Sequence, residues 1–312
     1  MKILVELPSW IGDTVMALPS IEKLFKRYPD AEFFFIGPLN TLELIRNHPK
    51  CSSIKKISRN YLRILIDSIS YNKISLFVSF RSSFRTMFFK FFLNAEKKFQ
   101  FNNKKLRAIH QVEKYNEFIN DIVGSNTNPY ETVIYFKKSA SISLPKPTIG
   151  LNPGAAYGSA KCWTEEGFTE VAKYFSSAFD IVILGGTNEL KVAQRIENKL
   201  IKSGVKNITN YAGKTSIQDL ASIISGLKLF VTGDSGPMHI AASFKVPTVA
   251  IFGPTKFKET SPWGCQKSFI VQRNLPCQPC MKRVCPLKHH NCMELISSHD
   301  VSVVCNKALG GN

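Results

Sequence analysis

The chain predicts an α/β fold in two domains, each built on a mostly parallel sheet. Three observations carry this reading. Apolar strand-like runs alternate with segments of helical periodicity in both halves of the sequence. Several of those runs end in Gly-bearing loops, as at Gly37-Pro38, Gly185-Gly186 and Gly253-Pro254. The 312 residues are also enough for two cores of about 150 residues each.

In order, residues 2–7 form a strand, residues 8–13 a loop, and residues 14–28 a helix. Val15, Leu18, Ile21, Leu24 and Phe25 fall at helical spacing there. A strand at 32–36 stops at Gly37-Pro38, and a short helix follows at 41–47. The next strand is 74–80, with helices at 81–93 and 110–123. Residues 139–148, with Pro145 and Pro147, have the composition of a linker, which divides the chain into domains 1–145 and 146–312. The second series reads strand 148–151, helix 164–179, strand 181–184, and helices 189–203 and 217–225. It closes with strand 229–232, a turn into a helix, and strand 248–252. Ligands of parallel sheets bind beyond the carboxyl ends of the strands, so the chemistry belongs in the loops that leave them.

Hydrophobic content of 44% and charged content of 21% exclude a disordered chain. The start, Met1 to Leu7, is too short and too acidic for a signal peptide, and no apolar run approaches the roughly 20 residues that span a bilayer. A cytoplasmic protein is expected. The net charge of +18 is concentrated: residues 46–107 hold fifteen Lys or Arg against two acids, Asp67 and Glu96. That density calls for an anionic partner. Phenylalanines interleave with it from Phe84 to Phe92, a mixture that suits a membrane surface. The other reading is a core-facing helix whose lysines merely solvate its outer side.

The most informative stretch is Gly233-Asp234-Ser235-Gly236-Pro237, between an apolar strand and a helix. Free amides and the positive end of a helix make an anion site there, although a plain turn with an N-cap Asp or Ser reads the same way. Asp13 is a general base or an N-cap. Asn152-Pro153-Gly154-Ala155 follows another strand, and Lys161 offers a point charge to phosphate or is a surface lysine. Glu189, after Gly185-Gly186, suits ribose hydroxyls or the first turn of a helix. Ala212-Gly213-Lys214-Thr215-Ser216 is a fourth loop. Neither G-x-G-x-x-G nor the P-loop pattern is present, which argues against a dehydrogenase or NTPase. No usual RNA or DNA motif supports a nucleic-acid partner.

Taken in order, Gly12-Asp13 with Leu18-Pro19, Asn152-Pro153-Gly154-Ala155, Lys161-x-Trp163, Ala212 to Ser216, and Gly233 to His239 resemble the glycosyltransferase family 9 pattern. These are the ADP-heptose:lipopolysaccharide heptosyltransferases. The segment from Cys277 to Pro286 and on to Cys292 resembles the heptosyltransferase II branch. The resemblance implies a GT-B architecture: two Rossmann-like domains facing a cleft, the donor held by the second, the last helix able to pack back on the first. It implies inverting transfer of L-glycero-D-manno-heptose from ADP-heptose to the heptosyl-Kdo inner core of lipopolysaccharide or lipooligosaccharide. Alternatives are a member with another acceptor (heptosyltransferase I or outer-core type) or a basic nucleic-acid-binding α/β protein.

By the same resemblance Asp13 is the base and Lys161 offsets charge on the leaving ADP. Asp234, Ser235, Gly236, Met238 and His239 line the diphosphate and donor sugar. Asn152, Gly154, Gly186, Glu189, Lys214, Thr215 and Ser216 complete the donor site. Arg59, Arg63, Arg81 and Arg85 are the candidate contacts for an anionic, lipid-linked acceptor. No cofactor or catalytic metal is expected, since no Asp-x-Asp pair is present. A monomer in peripheral contact with the cytoplasmic face of the inner membrane is expected, with no nucleic acid bound. Cys277, Cys280, Cys285 and Cys292 fall within sixteen residues, with His289 and His290 among them. They suit a structural zinc site, or stand as reduced thiols or adventitious disulfides; the spacing leaves both open.

Overall fold

Ile3, Leu4 and Val5 are wholly buried, as in a central parallel strand covered by helices on both faces. They lie in β1 (Lys2–Glu6) of a computed structural model that describes residues 1–102, 108–137 and 144–311. The first unit continues with α1 (Ile11–Arg27), β2 (Glu32–Gly37), α2 (Leu39–Leu42), β3 (Cys51–Lys56) and α3 (Tyr61–Ser70). It ends with β4 (Ile74–Ser79), α4 (Phe84–Phe92), β5 (Ala95–Gln100) and α5 (Gln111–Val123). Its sheet has the order β3-β2-β1-β4-β5, and every pairing is parallel.

The second unit holds β6 (Thr148–Asn152), α6 (Glu165–Phe175), β7 (Asp180–Ile183), α7 (Leu190–Lys202), β8 (Ile208–Asn210) and α8 (Ile217–Ser225). Then come β9 (Leu229–Gly233), α9 (Gly236–Ser243), β10 (Thr248–Phe252), α10 (Phe257–Thr260), β11 (Ser268–Gln272), α11 (Asn291–Glu294) and α12 (Ser298–Ala308). The order is β11-β10-β9-β6-β7-β8, again all parallel. α12 packs on α6, β10 and β11 of its own unit. The strand order reverses at β1/β4 in one sheet and β6/β9 in the other; Asn152 ends β6, Arg81 and Asp234 lie just after β4 and β9, and Asp13 stands in the first turn of the helix that follows β1. The units divide after Phe136, earlier than the division at 145; residues 139–143 of the expected linker lie outside the described residues.

Two local differences from the sequence reading matter. α1 begins at Ile11 with Trp10 as N-cap, so Asp13 stands inside the first turn and the N-cap reading fails. On α4, Phe89 is core at 1% exposure, whereas Phe84 and Phe91 are 67% and 78% exposed, so the phenylalanines split between core and surface.

α1 and α5 are joined by a buried lysine. Lys23 is 3% exposed, and its Nζ donates to Asn116 Oδ1 (2.5 Å), Asn120 Oδ1 (2.6 Å) and the Thr127 carbonyl (3.0 Å). Lys23→Met would strand Asn116 Oδ1 in a dry site, while Asn120 Oδ1 keeps the Ser125 hydroxyl and the Thr127 carbonyl keeps the Asn116 and Asn120 amides. Urea unfolding should show a loss of about 2–3 kcal/mol, whereas a loss below about 0.5 kcal/mol would mean that water reaches the network.

Candidate active site

The loops after β6, β7, β8 and β9 leave one edge of the second sheet because the strands are parallel. They also touch. A Cβ on Gly154 would stand 1.9 Å from Glu189 Cγ, one on Gly185 would stand 2.8 Å from Glu189 Cβ, and the Gly213 amide donates to the Gly185 carbonyl at 2.9 Å. Asn152 ties two strand ends together: its Nδ2 donates to Thr232 Oγ1, Ser235 Oγ and the Gly154 carbonyl, each at 3.2 Å.

Ser235 is the N-cap of α9, yet its side chain accepts from no amide of that helix. Its Oγ is 3.0 Å from Thr232 Oγ1 instead. Pro237 brings no N–H, so the remaining first-turn amides of α9 are left uncapped by the serine, the condition for an anion site. The plain-cap reading therefore fails. Asp234 is only 5% exposed, and its Oδ2 accepts from Thr255 Oγ1 (2.6 Å) and pairs with Lys161 Nζ (2.5 Å). Lys161 ends a 3-10 turn, Ser159–Lys161, and its ammonium lies 4.6 Å from the Tyr157 ring centroid. The Arg283 guanidinium stands 5.3 Å from the same ring. Lys161 is thus no surface lysine. Asp234 holds it in place.

Other candidates need similar correction. Met238 is wholly buried against Ala250 and Phe252, so only its main chain can face a ligand, and His239 is buried too. Ser216 is the N-cap of α8 in a capping box with Asp219, which commits its hydroxyl. Lys214 Nζ donates to the Asn210 carbonyl at 3.0 Å. Glu189 Oε2 accepts the Gly186 amide at 2.8 Å across the turn before α7, which is the local-cap reading of that acid. Thr215 is half-buried between these loops.

In the first unit, Asp13 is half-buried near Tyr115. Burial pushes the Tyr115 phenol well above its ordinary range, and the Asp13 charge adds to the rise. Arg81 is not an open cation: its Nη1 donates to Glu6 Oε1 at 3.2 Å, while Ser79 Oγ donates to Glu6 Oε2 at 2.7 Å. One edge of its guanidinium is thus already held within the fold. The Arg85 Nε is buried without a hydrogen-bond partner among the described residues, and Arg59 and Arg63 are exposed.

The sequence reading missed Thr255, Tyr157, Arg283 and Glu6. Thr255 follows Gly253-Pro254 at a strand end, where the strand-end rule would have found it, and Glu6 is an acid inside an apolar strand. Tyr157 and Arg283 carry no such signal.

Cys277, Cys280, Cys285 and Cys292 line one small cavity together with His289, His290, Ala160 and Pro254. All four are free thiols. Burial, then the neighbouring thiols of Cys285, Cys277 and Cys280, push Cys292 up to about 11. Among the described residues, no three His, Cys, Asp or Glu side chains form a closed metal-ligand set as they stand.

The family model of glycosyltransferase family 9 (heptosyltransferase) matches residues 70–291. The lipooligosaccharide heptosyltransferase 2 of Campylobacter jejuni is 39% identical over 301 residues, 94% of each chain. The lipopolysaccharide heptosyltransferase 2 of Escherichia coli K12 is 26% identical over 298 residues, 84% of this chain and 85% of that one. The solved structure of E. coli ADP-heptose LPS heptosyltransferase II superposes with a TM-score of 0.82 at 22% identity, covering 99% and 98% of the two chains.

Glu6 supplies a pH test. Burial raises its pKa above 4.5 and outweighs the lowering by Arg81. An acid with a raised folded pKa adds stability that is complete below the unfolded pKa and lost as pH rises through the folded one. Unfolding free energy should therefore fall as pH climbs from about 4.5, a slope that Glu6→Gln removes. Parallel pH profiles for the two proteins would show that Glu6 is not the titrating group.

Proposed function

Since the chain belongs to glycosyltransferase family 9, we propose that it transfers heptose from ADP-heptose to a heptose of the lipopolysaccharide or lipooligosaccharide inner core. The observation that carries this reading is the buried Lys161–Asp234 pair beside the uncapped start of α9. In the reaction an acceptor hydroxyl oxygen attacks the anomeric carbon of the donor sugar. Asp13 takes the hydroxyl proton as the new C–O bond forms, and the bond from the anomeric carbon to the diphosphate oxygen breaks with inversion. The leaving ADP gathers negative charge on that oxygen. Lys161 and the first-turn amides of α9 are fixed dipoles and charges for it, placed before the reaction starts.

Asp13→Asn should lower kcat by about 10²–10⁴-fold and leave ADP affinity unchanged. Lys161→Met strands the Asp234 charge, so it is paired with Lys161→Met/Asp234→Asn. The double variant should recover stability yet stay about 10²-fold or more below wild type in kcat, because the cation is still missing. A double variant with full activity would reduce the lysine to a structural partner.

We also infer peripheral contact with the cytoplasmic face of the inner membrane, where a lipid-linked acceptor is presented. The support is a patch on α3 and α4: Leu62, Ile66, Ile69, Phe84 and Phe91 are 58–78% exposed, beside Arg59, Arg63 and Lys90. Apolar tips with flanking cations suit the headgroup layer of an anionic bilayer. Among the described residues no helix is long and apolar enough to cross a membrane. Leu62→Asp/Phe91→Asp should raise KM for acceptor in anionic vesicles and leave KM for ADP-heptose unchanged. An unchanged acceptor KM, with vesicle binding intact, would refute the contact.

A further inference from the structure

The chain between β11 and α11 is turned inside out for an ordinary loop. Met281 and Val284 are 46% and 68% exposed, while the four cysteines line the shared cavity. Met281, Lys288 and His290 hold positive φ angles of 56°, 61° and 50°, which side-chain-bearing residues rarely adopt. A loop that exposes its apolar side chains and converges its thiols lacks a hydrophobic reason for that shape. Coordination to one ion supplies a reason.

The same loop grips the turn that carries Lys161. The Ala160 amide donates to the Arg283 carbonyl at 3.0 Å, and His290 Nε2 lies 2.9 Å from the Ala160 carbonyl oxygen. The Tyr157 hydroxyl donates to the Met281 carbonyl at 2.8 Å. On the other side Gln278 Nε2 donates to the Gly253 carbonyl (2.6 Å), and the Met281 amide to the Pro254 carbonyl (2.9 Å), just before Thr255. Both partners of Asp234 are therefore neighbours of residues held by this loop.

We propose that Cys277, Cys280, Cys285 and Cys292 bind one thiophilic divalent metal ion, zinc or ferrous iron, and that this site braces the Lys161 turn. The thiols draw inward to close the set, each releasing its proton to solvent as its sulfur bonds the ion. The histidines serve otherwise: His290 faces the Ala160 carbonyl, and His289 Nδ1 accepts the Asn291 amide at 3.0 Å. Four thiolates around a divalent ion leave two negative charges, and Lys282, Arg283 and Lys288 in the same loop offset them. The brace rests on the reading that Lys161 meets ADP; the metal assignment does not.

The full chain, purified without oxygen, should carry about one zinc or iron per molecule by elemental analysis, which also tells the two apart. Cobalt(II) exchanged into it should give the visible bands of a tetrahedral thiolate site. Cys280→Ser/Cys285→Ser should lose the metal, and Cys51→Ser, on an edge strand of the other unit, should keep it. Stripping the metal from wild type should weaken ADP binding at least about fivefold in calorimetry, and its return should restore affinity. Four alkylatable thiols without metal, or disulfides among them, overturn the assignment. Metal removal with unaltered ADP affinity overturns the brace. A wild type that never binds ADP overturns the donor reading and the brace with it, and the metal count then decides the ligand assignment alone.

Discussion

The second unit is organised around one ion pair, a half-buried Lys161 on its 3-10 turn with a buried Asp234 just after β9. Two unit charges about 4 Å apart attract by about 4 kcal/mol at the effective dielectric of a protein surface, and burying each ion costs several kcal/mol. The pair is thus near break-even for stability. Its value is positional: Asp234 accepts from Thr255 as well, so one carboxylate fixes a cation to the loop after β10. The pair is also close to neutral as a unit, so losing only the lysine would leave the carboxylate charge of Asp234 uncompensated by it. That asymmetry is why the lysine outweighs any single glycine in the surrounding loops.

Asn152 extends the same order outward. It fastens Thr232, Ser235 and Gly154 with one amide group, so the ends of two neighbouring strands move as a piece. Because Ser235 is spent on that fastening, it cannot cap α9, and the helix keeps amides for a guest. A serine at a helix start would ordinarily be read as stability. Here its hydroxyl is drawn sideways by Asn152 and Thr232.

What was legible in the sequence follows from burial. β1, β6, β9 and β10 are apolar runs between helices, and their limits were read to within a residue or two. β3 (CSSIKK) and β5 (AEKKFQ) are edge strands whose exposed positions carry Ser, Lys and Glu, so no apolar pattern marks them. β8 has only three residues, and β11 is an edge strand as well. At the site, Lys161, Asn152 and Asp234 were visible from their strand-end positions. Their partners were not, since a pairing such as Lys161 with Asp234 spans more than seventy residues of sequence. The exposed apolar patch on α3 and α4 was half legible: periodicity could not tell Phe89, which turns inward, from Phe91, which does not.

Net charge is a poor guide to which cations are available. Arg81 lies in the basic half at a strand end, the position expected of a ligand contact, yet Glu6 beneath it claims its guanidinium. Arg59, just before α3, and Arg63, on it, are exposed to solvent. One of the strand-end acids is held in the same way. Asp234 has a lysine and a threonine on one oxygen and is built into the scaffold. Asp13 stands half-buried in a first helical turn near the Tyr115 phenol. Strand-end position nominates a residue for chemistry, and its buried counter-charge decides whether it is free to perform any.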